Sequence, residues 1–155
     1  MSRISRRILV LPVLLLIVGA SQAQGASSKK FVVRPSTDFK FEPLPGGPPG
    51  VTQAKLWGDS TKGAYGSISK FPAGWSAPLH THPSELKIVV ISGAWIHGEP
   101  GKPDVKLPAG SYLVQPAGQK HTSACDAGSE CLIFIESNGK FGIKMVEEKK
   151  APAKK

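Results

Sequence analysis

From Val51 onward the sequence consists of short runs of strand-forming residues that alternate with glycine- and proline-rich connectors. Runs such as "LKIVVIS" (86–92) and "CLIFIES" (131–137) are separated by segments such as "GDSTKG" (58–63). Valine, isoleucine, leucine and aromatic residues dominate the runs, and no window places apolar residues at helical spacing over three turns. The pattern predicts an all-β sandwich or barrel. With 155 residues, the chain is long enough for one such domain.

The N-terminus has the order of features found in a secretory signal. Three arginines precede the apolar run "ILVLPVLLLIVGA" (8–20), which leads into the small-residue stretch "SQAQ" (21–24). The sequence therefore predicts a signal peptide over residues 1–23, cleaved after Ala23, and a periplasmic or secreted mature protein. An uncleaved membrane anchor is the alternative, although this run is shorter than the roughly 20 residues that span a bilayer.

Two segments that flank the predicted barrel lack the strand pattern. Residues 24–50 form a Pro/Gly-rich N-terminal arm, in which "EPLPGGPPG" (42–50) argues against a regular element. Residues 147–155 form a lysine-rich tail, for which a flexible solvated segment and binding to acidic surfaces are the alternatives. The formal net charge is +9, but no basic stripe is interleaved with aromatic residues. We therefore expect no nucleic-acid partner, and no membrane association after signal cleavage.

Three histidines are candidates for a metal site. His80 and His82 are separated by one residue in a predicted strand, so their side chains point to the same face. His121 opens a later strand after a turn at Pro116 and Gly118, and this turn could bring it back over the first pair. The fourth histidine, His97, is interpreted as a hydrogen-bonded or exposed side chain rather than a catalytic one.

These residues belong to two motifs that resemble those of the cupin superfamily. The first is "GWSAPLHTH" (74–82), which is closed by Gly93, and the second is "GSYLVQPAGQKH" (110–121). The resemblance covers residues 51–146. It implies a conical jelly-roll β-barrel, in a single domain, with a metal ion held inside by His80, His82 and His121. Three imidazoles suit divalent iron, zinc, manganese, nickel or copper, and the sequence does not distinguish among these metals.

The glutamate that often completes a cupin metal site is displaced in this sequence. In the family it usually stands four residues after the second histidine and seven before the closing glycine, and both counts fall on Leu86. Strand alternation places Leu86 on the same face as the histidines and points Glu85 outward. A β-bulge in "HPSE" could turn Glu85 inward, so an exposed Glu85 and a ligating Glu85 are both open.

The two cysteines, Cys125 and Cys131, flank the predicted turn "DAGSE" (126–130). In an exported protein such a pair suggests a disulfide between the two strands. Two buried thiols are the alternative. By strand spacing, Cys125 is too far along its strand to reach a metal ion bound by His121.

The metal site suggests two classes of function. Three histidines without a carboxylate leave coordination positions open, and such a site resembles the ferrous centres of thiol and diketone dioxygenases. The resemblance implies an exported cupin acting on a small organic molecule, with Tyr112 and Leu86 as possible parts of the substrate pocket. The alternative is a non-catalytic periplasmic module that binds a metal or a small ligand. Cupins often form dimers, which implies a possible homodimer.

Overall fold

A computed structural model of the protein describes residues 30–147. The predicted signal peptide (1–23), the first residues of the arm (24–29) and nearly all of the lysine-rich tail (148–155) lie outside the described residues. Within residues 30–147, no helix has the length and apolar character needed to span a bilayer.

The described chain is built from short strands, as the run-and-connector pattern predicts. A single 3-10 turn at Ser36–Asp38 precedes them. The strands are β1 (Glu42–Pro43), β2 (Thr52–Gly58), β3 (Tyr65–Phe71), β4 (Ser76–Thr81), β5 (Leu86–Ser92), β6 (Ala94–Gly98), β7 (Val105–Pro108), β8 (Tyr112–Gln115), β9 (His121–Cys125), β10 (Cys131–Ser137) and β11 (Lys144–Met145).

The strands form two antiparallel sheets that face each other as a jelly-roll barrel. One sheet has the order β1-β2-β3-β10-β5-β8, and the other has the order β11-β4-β9-β6-β7. Side chains alternate between the interior and the outside along each strand. In β10, for example, Cys131, Ile133, Ile135 and Ser137 are buried and the residues between them are partly exposed. The period-2 pattern of the sequence therefore defines the inner surface of the barrel.

One half of the barrel interior is filled by aromatic side chains. Phe71, Trp75 and Trp95 form a cluster, with ring centroids 4.7 Å apart for Phe71 with either tryptophan and 5.8 Å apart for the two tryptophans. Edge-on and offset contacts of this kind stabilise aromatic pairs beyond the area that they bury. This half of the interior is therefore well packed.

The end of the N-terminal arm, residues 42–50, is packed against the barrel. β1 pairs with β2, and Leu44 inserts its side chain into the hydrophobic core. Gly47 covers Leu44 closely, since a Cβ at Gly47 would lie within 3 Å of three Leu44 side-chain atoms. The Pro/Gly-rich segment thus supplies one core residue and a short edge strand.

The disulfide between Cys125 and Cys131 is present, and it joins the two sheets. Cys125 ends β9 and Cys131 begins β10, and the two Cα atoms are 5.8 Å apart. Gly93 lies directly beside the bond: its φ of +75° is one that glycine adopts without strain, and a Cβ there would meet Cys131 and the carbonyl of Glu130. The closing glycine of the first motif is therefore required by packing on the disulfide.

Removing this disulfide should destabilise the protein without changing its fold. We expect the double variant Cys125→Ala, Cys131→Ala to lose about 2 kcal/mol of unfolding free energy, the loop-closure value for so short a loop. The melting temperature should fall by roughly 5–10 °C, as measured by circular dichroism. The variant should be indifferent to dithiothreitol, which serves as the control. Equal melting temperatures for the variant and the oxidised wild type would contradict the expectation.

Candidate metal centre

The two motifs bring three histidine side chains together inside the barrel. His80 lies near the end of β4, His82 follows that strand, and His121 opens β9. His80 and His121 are direct partners across the β4–β9 ladder. One potential ligand atom from each ring lies within 4.8 Å of the other two, and all three side chains are buried. This span is close to the roughly 4 Å that one ion with metal–nitrogen bonds of about 2.1 Å can bridge.

A β-bulge in β4 sets the direction of His80. Ala77 pairs with Ser123 and His80 pairs with His121, so three steps along β4 match two steps along β9. The extra residue reverses the alternation, which places His80 on the same inward face as Ala77. The segment "HPSE" (82–85), in which a β-bulge was one possibility, is instead the connection between β4 and β5, and Glu85 is exposed.

Each of the three histidines donates a hydrogen bond from Nδ1 to a main-chain carbonyl oxygen. The distances are 2.7 Å from His80 to Pro78, 2.7 Å from His82 to Gly142 and 3.0 Å from His121 to Gln119. Since a carbonyl oxygen can only accept, the proton of each neutral ring resides on Nδ1 and the lone pair on Nε2. Hydrogen bonds of this kind orient the histidine ligands of metal sites.

Burial keeps the three rings neutral. It lowers the pKa of His80, and it lowers the pKa of both His82 and His121 to about 4. The hydrogen bonds to the carbonyls oppose this effect but do not cancel it. At neutral pH the rings therefore present lone pairs, which is the form that binds a metal ion.

The immediate surroundings fit a bound cation. The Nε2 atom of His121 is buried and has no hydrogen-bond partner among residues 30–147. A buried polar atom without a partner is costly, and a metal ion would satisfy it. The adjacent inner cavity has a volume of about 40 Å³ and is walled largely by apolar side chains such as Leu86, Ile88 and Ile135. Three neutral nitrogen donors in this setting could hold a divalent transition metal ion.

Glu85, which precedes β5, and Leu86, which begins it, differ in burial. Glu85 is exposed and does not belong to the cluster of ligand atoms, whereas Leu86 is buried and lines the inner cavity. Leu86 is paired across the ladder with Gln115 of β8, whose side chain is also buried. An amide thus lies opposite the position at which a cupin carboxylate ligand is expected.

The structure places Tyr112 away from the metal centre. Its side chain is 60% exposed, and Tyr112 pairs with Val89, which is also exposed on the outer face of the sheet. Strand alternation explains why Tyr112 is exposed: Leu113 and Gln115 border the barrel interior, so the side chain of Tyr112 points to the opposite face of β8. The tyrosine hydroxyl is therefore not available to a ligand inside the barrel.

Two features of the site escape the sequence pattern. Gly142 supplies the carbonyl that orients His82, although 60 residues separate them. His97, interpreted from sequence as a hydrogen-bonded or exposed side chain, is half-buried on β6, and its ring centroid lies 5.6 Å from that of His121. Both depend on tertiary contacts between distant segments, for which no short motif exists.

Solved structures with a similar fold include one cupin protein and two enzymes. The polyketide cyclase RemF from Streptomyces resistomycificus is 22% identical, with 80% of this chain and 89% of that chain covered and a TM-score of 0.62. An RmlC-like cupin protein from Ralstonia eutropha is 21% identical, with 79% and 76% covered and a TM-score of 0.61. The DMSP lyase DddQ from Ruegeria pomeroyi is 16% identical, with 74% and 64% covered and a TM-score of 0.57. The chain has the cupin fold.

A family model described as "Domain of unknown function (DUF4437)" matches residues 37–154. The chain belongs to this family. No curated protein matches its sequence significantly. The match begins in the arm, before Val51, in agreement with the packing of Leu44 into the hydrophobic core.

The tautomers of the three histidines can be observed directly. In metal-free protein at pH 7, we expect long-range ¹H–¹⁵N spectra to show protonated Nδ1 and unprotonated Nε2 for His80, His82 and His121, because each Nδ1 faces a carbonyl oxygen. Glu85→Gln should leave these signals unchanged, since Glu85 is exposed. Protonated Nε2 atoms on any of the three rings would contradict the orientation described above.

Proposed function

We propose that this protein holds one divalent transition metal ion through His80, His82 and His121 and acts on a small organic molecule at that ion. The observation that carries the proposal is the convergence of three neutral imidazoles whose Nδ1 atoms are already engaged. Such rings have only Nε2 left to offer to an ion, and one potential ligand atom of each ring lies within 4.8 Å of the other two.

The metal ion would supply Lewis acidity and, for iron, redox chemistry, with coordination positions left for a ligand. The protein's own part is to orient and to shield. The carbonyls of Pro78, Gln119 and Gly142 hold the rings in place, while apolar side chains exclude water from the inner side of the site. Because three imidazoles without a carboxylate resemble ferrous dioxygenase centres, oxidation by dioxygen is the first reaction to test.

Export is part of the proposal. It is supported by the charged, apolar and small-residue order of the N-terminus and by the disulfide, since disulfides persist mainly in oxidising compartments. The working site of the protein would then be the periplasm or the exterior of the cell.

A non-catalytic binding module is the second candidate function. The inner cavity, at about 40 Å³, accommodates only a few water molecules. Leu44 from the arm and Phe141 from the C-terminal segment are among the residues that line it. A cavity of this size favours a permanently held ion unless a substrate reaches the site by another route.

Metal stoichiometry tests the proposed site. The wild-type protein should bind one equivalent of Zn²⁺ or Fe²⁺ in equilibrium dialysis followed by elemental analysis. His80→Ala, His82→Ala and His121→Ala should each weaken binding by at least roughly 100-fold, because even groups that only orient metal ligands contribute about 10–100-fold. Glu85→Gln is the matched control and should bind as the wild type does. Full metal content in the alanine variants would exclude this site.

Turnover separates the two candidate functions. If the protein is an oxygenase, the iron-loaded form should consume dioxygen with at least one member of a panel of thiols, diketones and small carboxylic acids, and His121→Ala should not. The protein is loaded with iron under anaerobic conditions, the reaction is started by admitting air, and the uptake of dioxygen is measured. Stoichiometric metal without uptake or any product detectable by mass spectrometry would favour the binding module.

A further inference from the structure

A groove distinct from the inner cavity borders the candidate metal centre at His121. It has a volume of about 320 Å³, within the range of small-molecule sites. His121 lines this groove, whereas His80 and His82 line the inner cavity. The groove therefore offers a small organic molecule room beside the metal centre that the inner cavity does not.

Gln115, one of the residues that line the groove, has a buried side-chain amide with unused hydrogen-bonding capacity. Gln115 is only 4% exposed, yet its Nε2 atom has no acceptor among the described residues. Gln115 borders both the groove and the inner cavity. An amide nitrogen is a donor only, so whatever satisfies it must present an acceptor, such as an oxygen atom.

His97 adds a second unused polar atom to the same groove. Its Nδ1 atom is buried and, within residues 30–147, has no partner. His97 pairs across the ladder with Ser123, whose side chain is buried, and both therefore face the barrel interior. Ser67, Ser69 and Trp95 also carry buried atoms without a partner, but none of them borders the groove. Gln115 and His97 thus bring two buried polar atoms without partners among the described residues to the lining of one groove.

The charges near the groove are mixed, since the carboxylates of Glu99 and Asp104 both lie close enough to act on His97. Glu99 is neutralised by Lys102, with 2.7 Å between Nζ and the carboxylate oxygen. Lys120, also at the rim, is exposed and forms no ion pair with any described residue. A single lysine and one amide match the one negative charge and two acceptor oxygens of a carboxylate. A phosphate, by contrast, is usually held by arginines or by several main-chain amides.

We propose that this groove binds a small organic carboxylate, with the Gln115 amide donating a hydrogen bond to a carboxylate oxygen and Lys120 attracting the anion. His97 provides a further hydrogen-bonding group within the groove. That this carboxylate is the substrate rests on the proposed function of the metal site; that the groove binds a carboxylate rests on the groove alone.

Binding can be followed by NMR titration of the ¹⁵N-labelled mature protein, both metal-free and zinc-loaded, with propionate. Propionamide, which has the same shape without the charge, is the matched ligand. The Gln115 side-chain NH₂ signals should shift and saturate with propionate, and propionate should bind at least tenfold more tightly than propionamide. Both results are expected in the metal-free protein, so that loss of the metal site would not hide them.

Variants then assign the contacts. Gln115→Leu should weaken propionate binding at least tenfold while leaving zinc stoichiometry at the wild-type value. Lys120→Gln, an exposed change that does not threaten folding, should weaken it at least threefold, and Lys140→Gln, a lysine outside the groove, should not.

Three results would overturn the inference. They are no saturable shift of the Gln115 signals in either form, equal affinities for propionate and propionamide, or loss of zinc in Gln115→Leu, which would make the amide a metal ligand. Failure of the wild-type protein to bind zinc would instead refute the proposed metal-dependent function. The titration of the metal-free protein with propionate would still show whether the groove binds a carboxylate.

Discussion

The hydrogen bonds from three imidazole Nδ1 atoms to main-chain carbonyls are the constraint on which the site depends. Each carbonyl belongs to backbone that is itself held in place: Pro78 lies in the β4 bulge, Gln119 in the turn before β9, and Gly142 in the segment leading to β11. The rings are thus oriented by the backbone rather than by other polar side chains. The barrel must be fully folded, including its C-terminal segment, before all three lone pairs converge.

The disulfide and the candidate metal ligand His121 lie at opposite ends of strand β9. His121 begins β9 and Cys125 ends it. At the cysteine end, the disulfide and the aromatic cluster of Phe71, Trp75 and Trp95 fill the interior. The same aromatic side chains also form part of the wall of the inner cavity that His80 and His82 line.

The sequence predicted those features that depend on local periodicity and spacing. Alternation along the strands gave the all-β fold, and the motif spacing placed His80, His82 and His121 together. Alternation also predicted that Leu86 faces the barrel interior and that Glu85 points outward. It could not reveal the β4 bulge, because a bulge depends on pairing with β9. Gln115 and Gly142 were missed for a related reason: their roles arise from partners on other strands. Tyr112 was named as a possible pocket residue, although the alternation of side chains along β8 places it on the outer face.

The replacement of the expected carboxylate by Leu86 has an electrostatic consequence for the groove. A divalent ion held by three neutral imidazoles keeps its full charge, whereas a glutamate ligand would reduce it. In surroundings of low polarity, an uncompensated charge favours an anionic ligand strongly. Gln115, opposite Leu86, adds a hydrogen-bond donor without adding a negative charge. With a metal ion bound as proposed, the pair Leu86–Gln115 would leave both the charge and the donor to be satisfied from outside the protein, and a carboxylate would satisfy the two together.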